Sequence, residues 1–378
     1  MSTKRLWKRK KIGEEIEMEN NKRKIEEENQ EIPLKRARRD YKSLLDLSDD
    51  VLLLILQRLS HADLLSLNEC CLRLSRVSAD ESLWKNVSTK NTPLPPHRFR
   101  KMLKFLGIKT RSITIGGKTN PKMEVLTPAI LASIAEKCPQ LVELSLESCP
   151  IDAEQITMSI IPKSIQKLSI RNCDVTNIDP QKSYLYQMDT FLPQLEYLDL
   201  TNSRWLAHHS LQAISKCSRL QELILNGCRR IGECFVYTAL ATKFGFRKVS
   251  RLDLRNTCVG DSEVPCFGRL PCITELCLGR TSLQEDMALQ PAPGHYSESN
   301  GVVSDRGIVS LCLSEMDADQ PGKLRRLILL NTDVSDRCLA KLAAAFALHH
   351  LDVRGTGVTA KGVQCYVQNR PTCEILHD

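Results

Sequence analysis

Aromatic side chains make up only 5% of this 378-residue chain, so aliphatic residues, Leu above all, must fill its core. No apolar stretch approaches the roughly eighteen residues of a membrane span. The longest runs from Val51 to Leu56, and no membrane partner is expected. The segment Met1 to Lys11 is basic and has no apolar leader, which predicts retention inside the cell and reduced thiols for the 16 cysteines. There is no Cys-x-x-Cys, and Cys70-Cys71, His208-His209 and His349-His350 are adjacent pairs whose side chains diverge, so no metal is expected. No G-x-S-x-G elbow occurs, and two nucleotide-like motifs fail on context. Gly116-Gly117-Lys118-Thr119 lacks the leading glycine of a phosphate loop, its place being taken by Ser112. Gly355-Thr356-Gly357-Val358-Thr359-Ala360 is followed by too little chain for a second strand and a ribose-binding carboxylate. The chain is therefore expected to carry no cofactor and no enzymatic activity of its own.

What charge there is lies unevenly. The net +8 is concentrated in residues 1–42, where 14 Lys and Arg face 9 Asp and Glu, and the body is nearly neutral. That distribution argues against direct nucleic-acid binding by the folded part. Residues 1–42 alternate basic and acidic blocks with few apolar side chains, a composition that predicts a disordered tail. Within it Lys22-Arg23-Lys24 and Lys35-Arg36-Ala37-Arg38-Arg39 flank a ten-residue spacer, the arrangement of a bipartite nuclear-import signal. Importin is thus an expected partner, and nucleus and cytoplasm the expected location; the plainer alternative is a solubilising tail.

From Ser43 the pattern becomes helical. Leu47, Val51, Leu52, Ile55 and Leu59 recur at three- and four-residue steps around Ser48, a good N-cap. A second helix is expected from Ala62 to about Cys71 and a third from Arg73 to Val77, before Leu83-Trp84. Three short helices make too small a core to stand alone, which predicts a partner.

After Pro93, Pro95 and Pro96 and a basic helix near His97–Leu106, the unit Leu-x-x-Leu-x-Leu begins to recur. It appears with its first residue at Leu141, Ile165, Leu195, Leu220, Val249, Ile273, Leu324 and Leu348. The spacings run from 24 to 30 residues except for one of 51, between Ile273 and Leu324. A period of twenty to thirty residues predicts an α/β solenoid of leucine-rich repeats, with parallel strands on a concave face and helices outside. The long gap is read as an insertion, with a flexible loop over 284–303 leading to a helix near Ser304–Met316. Small residues after each strand (Cys149, Cys173, Ser203, Cys228, Thr257, Thr281, Thr332 and Thr356) mark a tight turn, and Ser or Thr beyond it can cap the following helix.

Leu47-Ser48-Asp49-Asp50-Val51-Leu52, Ile55, Leu59, Asp63-Leu64, Cys71 and Leu83-Trp84 together resemble an F-box, and the cysteine-containing repeats resemble those that follow an F-box in the F-box/leucine-rich-repeat family. The resemblance departs from the family where Ser48 replaces a usual Pro and Leu74 a usual Trp, changes expected to weaken adaptor binding. It implies the substrate-recognition subunit of a Skp–cullin–F-box ubiquitin ligase: an F-box that binds a Skp-family adaptor and through it a cullin–RING core, and a solenoid that holds a protein substrate. It also implies the division 1–42 tail, 43–90 F-box, 91–107 linker helix and 108–378 solenoid. The alternative is a nuclear scaffold that binds protein or RNA without a ligase role.

Two candidate surfaces emerge. Leu47, Val51, Leu52, Ile55, Leu59, Leu64, Leu65, Leu83 and Trp84 are more apolar bulk than so small a module can hide, so they are expected to face the adaptor. On the strands, residues alternating with the buried leucines face outward. A first column is Glu143, Lys167, Tyr197, Glu222, Arg251, Glu275, Arg326 and His350; beyond it stand Arg171, Arg255 and Arg354 beside Asp199, Asp253 and Asp352. The column is the expected substrate site, with Arg251, Arg255 and Arg354 as a possible phosphate pocket. The competing reading is a solvated surface whose charges pair across strands.

Overall fold

The computed structural model describes residues 43–117, 126–179, 182–232, 245–280, 301–315 and 322–378. The expected import signal (Lys22, Arg23, Lys24, Lys35, Arg36, Arg38 and Arg39), Lys118, Thr119, Thr281 and most of the 284–303 loop lie outside the described residues. The chain divides into two compact units, Met1–Leu52 and Leu53–Asp378.

In the first unit a short 3-10 turn, Leu44–Asp46, is closed by a capping box. Ser43 Oγ accepts from Leu45 N, and the Asp46 carboxylate accepts from Ser43 N at 2.6 Å. The helix Asp49–Leu56 begins with Asp49 and Asp50, whose charges favour the positive end of its dipole.

In the second unit two short helices, His61–Asn68 and Leu72–Ser78, precede a 3-10 turn at Glu81–Trp84. Ser60 Oγ and Cys71 Sγ cap them by accepting from Asp63 N and Leu74 N. Trp84 ties these helices to the start of the solenoid. Its indole N–H donates to Ser78 O at 2.8 Å, its ring stacks on Phe105 at 4.6 Å, and Thr110 Oγ1 donates to its carbonyl. Leu74, which stands where the family has Trp, is buried.

A single parallel sheet runs through the rest of this unit. Its strands are β1 (Asn86–Ser88), β2 (Ser112–Gly116), β3 (Glu143–Glu147), β5 (Lys167–Arg171), β7 (Tyr197–Asp199), β8 (Glu222–Ile224), β9 (Arg251–Asp253), β10 (Glu275–Gly279), β11 (Arg326–Leu330), β12 (His350–Asp352) and β13 (Glu374–Leu376), paired in that order. A second, two-stranded sheet pairs β4 (Pro150–Asp152) with β6 (Asp174–Thr176). The register stacks one aliphatic residue per repeat: Val87, Ile113, Leu144, Leu168, Leu198, Leu223, Leu252, Leu276, Leu327 and Leu351 are all fully or almost fully buried. No repeat can cover this row alone, which is why stacking is obligatory.

All eight repeats expected from Leu-x-x-Leu-x-Leu form strands in register. β10 pairs directly with β11, so the 51-residue gap is an insertion and not a degenerate repeat. The helix expected at Ser304–Met316 spans Asp305–Glu315. The linker helix expected within residues 91–107 is present. It spans Pro96–Met102 between β1 and β2, where a repeat helix belongs, with Phe99 and Met102 buried.

Helix caps are shared between repeats. Asp261, Asp305 and Asp336 each accept the backbone N–H and the hydroxyl of the next repeat's Ser304, Ser335 and Thr359, at 2.5–2.8 Å. Ser335 and Thr359 in turn cap their own helices through Arg337 N and Gly362 N, as expected. The Gly355-Thr356-Gly357 motif is a repeat turn, with Gly355 left-handed at φ +69°.

Candidate protein-interaction surfaces

On the helix Asp49–Leu56, Leu52 and Leu56 are buried, while Val51, Leu54 and Ile55, spaced i, i+3, i+4, are exposed. Leu54 is 63% exposed, and past this helix Leu59 and Leu72 are also in solvent, Leu72 at 92%. In the first unit Leu44 and Leu45 are likewise exposed. Of the residues expected to face an adaptor, Val51, Ile55 and Leu59 do reach solvent and Leu47 is half-buried. Leu52, Leu64, Leu65, Leu83 and Trp84 do not. Helical periodicity identifies an apolar stripe but not which side of it faces solvent, so the expectation overcounted. Leu44, Leu45, Leu54 and Leu72 are exposed as well, outside the expected set. Leu72 was overlooked because it opens its helix, outside the apolar spacing used to find one.

On the sheet, the first residue of each strand forms the expected column in register from Glu143 through Lys167, Tyr197, Glu222, Arg251, Glu275 and Arg326 to His350. Charges of opposite sign stand side by side along part of it. Arg251 lies 3.4 Å from Glu222 and 3.2 Å from Glu275, which is also 3.8 Å from Arg326, and His350 meets Glu374 at 3.1 Å. Partly exposed pairs like these contribute little each, but they fix the direction in which the side chains point.

The Asp residues two positions further on do not face solvent as expected. Asp199 and Asp253 are each 1% exposed, and Asp352 is also buried. Each carboxylate closes a local turn by accepting the backbone N–H two residues ahead: Thr201 at 2.9 Å, Arg255 at 3.1 Å and Arg354 at 3.2 Å. Arg255 and Arg354 then fork onto both oxygens of Asp253 and Asp352 (2.9 and 2.5 Å; 2.9 and 2.7 Å). Asp199 receives Arg171 from the preceding repeat at 2.7 Å, with Tyr197 Oη on the same oxygen. Burial resists ionisation of Asp352, but hydrogen bonds from Arg354 outweigh it and hold the carboxyl below the ordinary range. The expected phosphate pocket is not assembled. Arg354 stands three strands from Arg251 and Arg255, roughly 14 Å at the usual strand spacing, and Arg255 and Arg354 are committed to carboxylates.

Residues 44–90 match the F-box-like family. F-box/LRR-repeat protein 12 of Mus musculus is 28% identical over 194 residues, covering 50% of this chain and 58% of the relative, and its Homo sapiens counterpart is 27% identical over the same shares. Residues 44–90 are thus similar to F-box-like domains, and half of the chain is similar to F-box/LRR-repeat proteins. The chain spans somewhat more than half the length of the curated relatives it matches. Among solved structures, the yeast Rad7 and Elc1 complex aligns with a TM-score of 0.47 at 15% identity, over 99% of this chain and 93% of that one.

Several of the cysteines serve the stack. Cys149, Cys173 and Cys228, with Ser203, are buried in the post-strand turn, and each reaches back to a backbone carbonyl of the preceding repeat: Ile115, Leu146, Leu200 and Ile170 respectively. A thiol can donate there only if protonated. Burial pushes Cys228, and elsewhere Cys217, Cys277 and Cys312, up to about 12. The equivalent Thr257, Thr332 and Thr356 donate instead within their own repeats, to Leu254, Leu329 and Val353. Among the described residues no group of His, Cys, Asp and Glu could hold a metal ion.

Proposed function

We propose that the chain is the substrate-recognition subunit of a Skp–cullin–F-box ubiquitin ligase, non-catalytic itself. Its F-box engages a Skp-family adaptor and, through it, a cullin–RING core; its solenoid binds the protein to be modified. The observation that carries this reading is the F-box-like match over residues 44–90 in a chain that continues directly into leucine-rich repeats. Large aliphatic side chains left in solvent on the F-box (Leu54, Ile55, Leu59 and Leu72) are the sort of surface that a partner covers. The first-position column of the sheet, from Glu143 to His350, supplies polar and aromatic side chains for target binding. The basic clusters of residues 22–24 and 35–39 are proposed to bind importin, giving a nuclear as well as a cytoplasmic pool.

Co-purification tests the reading. The intact chain should capture a Skp-family adaptor and a cullin from cell extract, and Leu54→Asp with Leu72→Asp should abolish capture while leaving the circular dichroism spectrum unchanged. Normal capture by that double variant would move the adaptor contact elsewhere. No capture by the intact chain would overturn the ligase reading and leave the nuclear scaffold in its place.

A further inference from the structure

The body of the chain is nearly neutral, but stacking sorts its charges. Each repeat returns to its next strand through a short turn, and these turns lie side by side along one edge of the sheet. Backbone hydrogen bonds of 2.8 Å join them in order at Gln221, Ser250, Thr274 and Arg325, one residue before β8, β9, β10 and β11. The four turns, residues 217–221, 245–250, 269–274 and 322–325, carry Arg219, Arg247, Lys248, Arg269, Lys323 and Arg325 and not one Asp or Glu. The opposite edge, where strands run out toward helices, mixes both signs: Asp261, Asp305 and Asp336 stand there with Arg280, Arg306 and Arg337.

Local structure does not neutralise the basic edge. Lys248 and Arg269 are exposed and have no partner among the described residues. Lys323 donates to Pro271 O of the neighbouring turn at 2.7 Å, and Arg325 to Gly322 O and Leu324 O at 2.7 and 3.0 Å. Carbonyls thus hold these cations in place and leave their charge uncompensated. Arg219 meets a carboxylate, Glu196 of the preceding turn at 2.6 Å, and the acid-free row ends there. Asp317 and Asp319, which precede the last turn in sequence, lie outside the described residues. Cations repeated at roughly the 4.8 Å strand spacing repel one another and build a positive potential that an anionic partner relieves.

The geometry selects among anions. The row spans three strand spacings, roughly 14 Å, about the length of four residues of extended chain. The one aromatic side chain in the four turns, Phe246, is buried, so no ring is offered for a nucleobase to stack on. Guanidinium forks match carboxylates. We infer that this edge binds a short run of consecutive Asp or Glu residues in a partner polypeptide. The surface is separate from the first-position column and independent of the F-box, so it stands whether or not the chain serves a ligase.

Fluorescence anisotropy of a labelled oligoglutamate titrated with the full chain tests the assignment. The basic tail contributes equally to the parent and its variants, so two double variants with the same change in net charge are compared. Lys248→Glu/Arg269→Glu should weaken binding about tenfold or more. Arg306→Glu/Arg337→Glu, on the opposite edge, should stay within about twofold of the parent. Neither Lys248 nor Arg269 has a bond to lose, so the circular dichroism spectrum should be unchanged. No loss in the first variant, or equal losses in both, would overturn the site. A single-stranded oligonucleotide that bound as tightly as the peptide and was lost in the first variant would overturn the polypeptide partner.

Discussion

Replacing Asp253 by Ala distinguishes a scaffold residue from a ligand-reading one. Its carboxylate is almost wholly enclosed and accepts three hydrogen bonds, from Arg255 N at 3.1 Å, Nε at 2.9 Å and a terminal guanidinium nitrogen at 2.5 Å. Removing a hydrogen bond to a charged acceptor costs roughly 1.5–3 kcal/mol. The Arg255 side chain keeps 26% of its exposure, so its lost counter-ion adds well under the several kcal/mol of a fully buried pair. Asp253→Ala should therefore destabilise by about 3 kcal/mol. Urea unfolding followed by far-ultraviolet circular dichroism measures this, with hydrogen exchange at residues 254–256 as the local readout, since repeat arrays depart from two-state behaviour. Asp253→Ala/Arg255→Ala should lose less than the two single variants added together, because the second change removes the unpaired cation. A loss within about 0.5 kcal/mol for Asp253→Ala would refute the scaffold assignment.

Gly227→Ala should destabilise by about 2–3 kcal/mol: its φ is +77°, and an added Cβ would clash with Asn202 Oδ1, disturbing the Asn202–Asn172 hydrogen bond. Partial rescue by Asn202→Ala in urea unfolding checks the steric part. Alkylation of the native chain followed by mass spectrometry should label Cys70, Cys272 and Cys365 quickly and leave Cys149, Cys173, Cys228, Cys277 and Cys312 unreacted until urea is added. Because the folded Asp352 carboxyl lies below its ordinary value of 3.8, the stability it contributes is complete above that pH and falls away as pH drops through the folded value. Acid unfolding of Asp352→Asn should lack this contribution, and a curve parallel to the parent's below about pH 4 would contradict it.

Eight strands were legible because Leu-x-x-Leu-x-Leu is itself the packing rule: the spacing that makes the motif visible also puts one leucine per repeat in the stacked row. The strands at the two ends were not read as repeats. Trp84-x-x-Val87-x-Thr89 keeps the spacing of the motif, and all three side chains are buried, but Trp and Thr stand where Leu is sought. β13 keeps only Ile375 in the row, and what makes it a strand is its pairing with β12. For the F-box, helix positions were close, whereas exposure could not be assigned, because Leu52 and Leu54 are chemically alike and only packing distinguishes them.

The sequence by itself determined the repeat architecture and the F-box resemblance, since each is a matter of spacing along the chain. Tertiary structure alone decided which charges remain for a partner. Asp199, Asp253 and Asp352 look like surface residues in the alternation of a strand, yet their carboxylates are drawn to backbone N–H groups two residues ahead and to an arginine, which the preceding repeat supplies to Asp199 and the same turn supplies to Asp253 and Asp352.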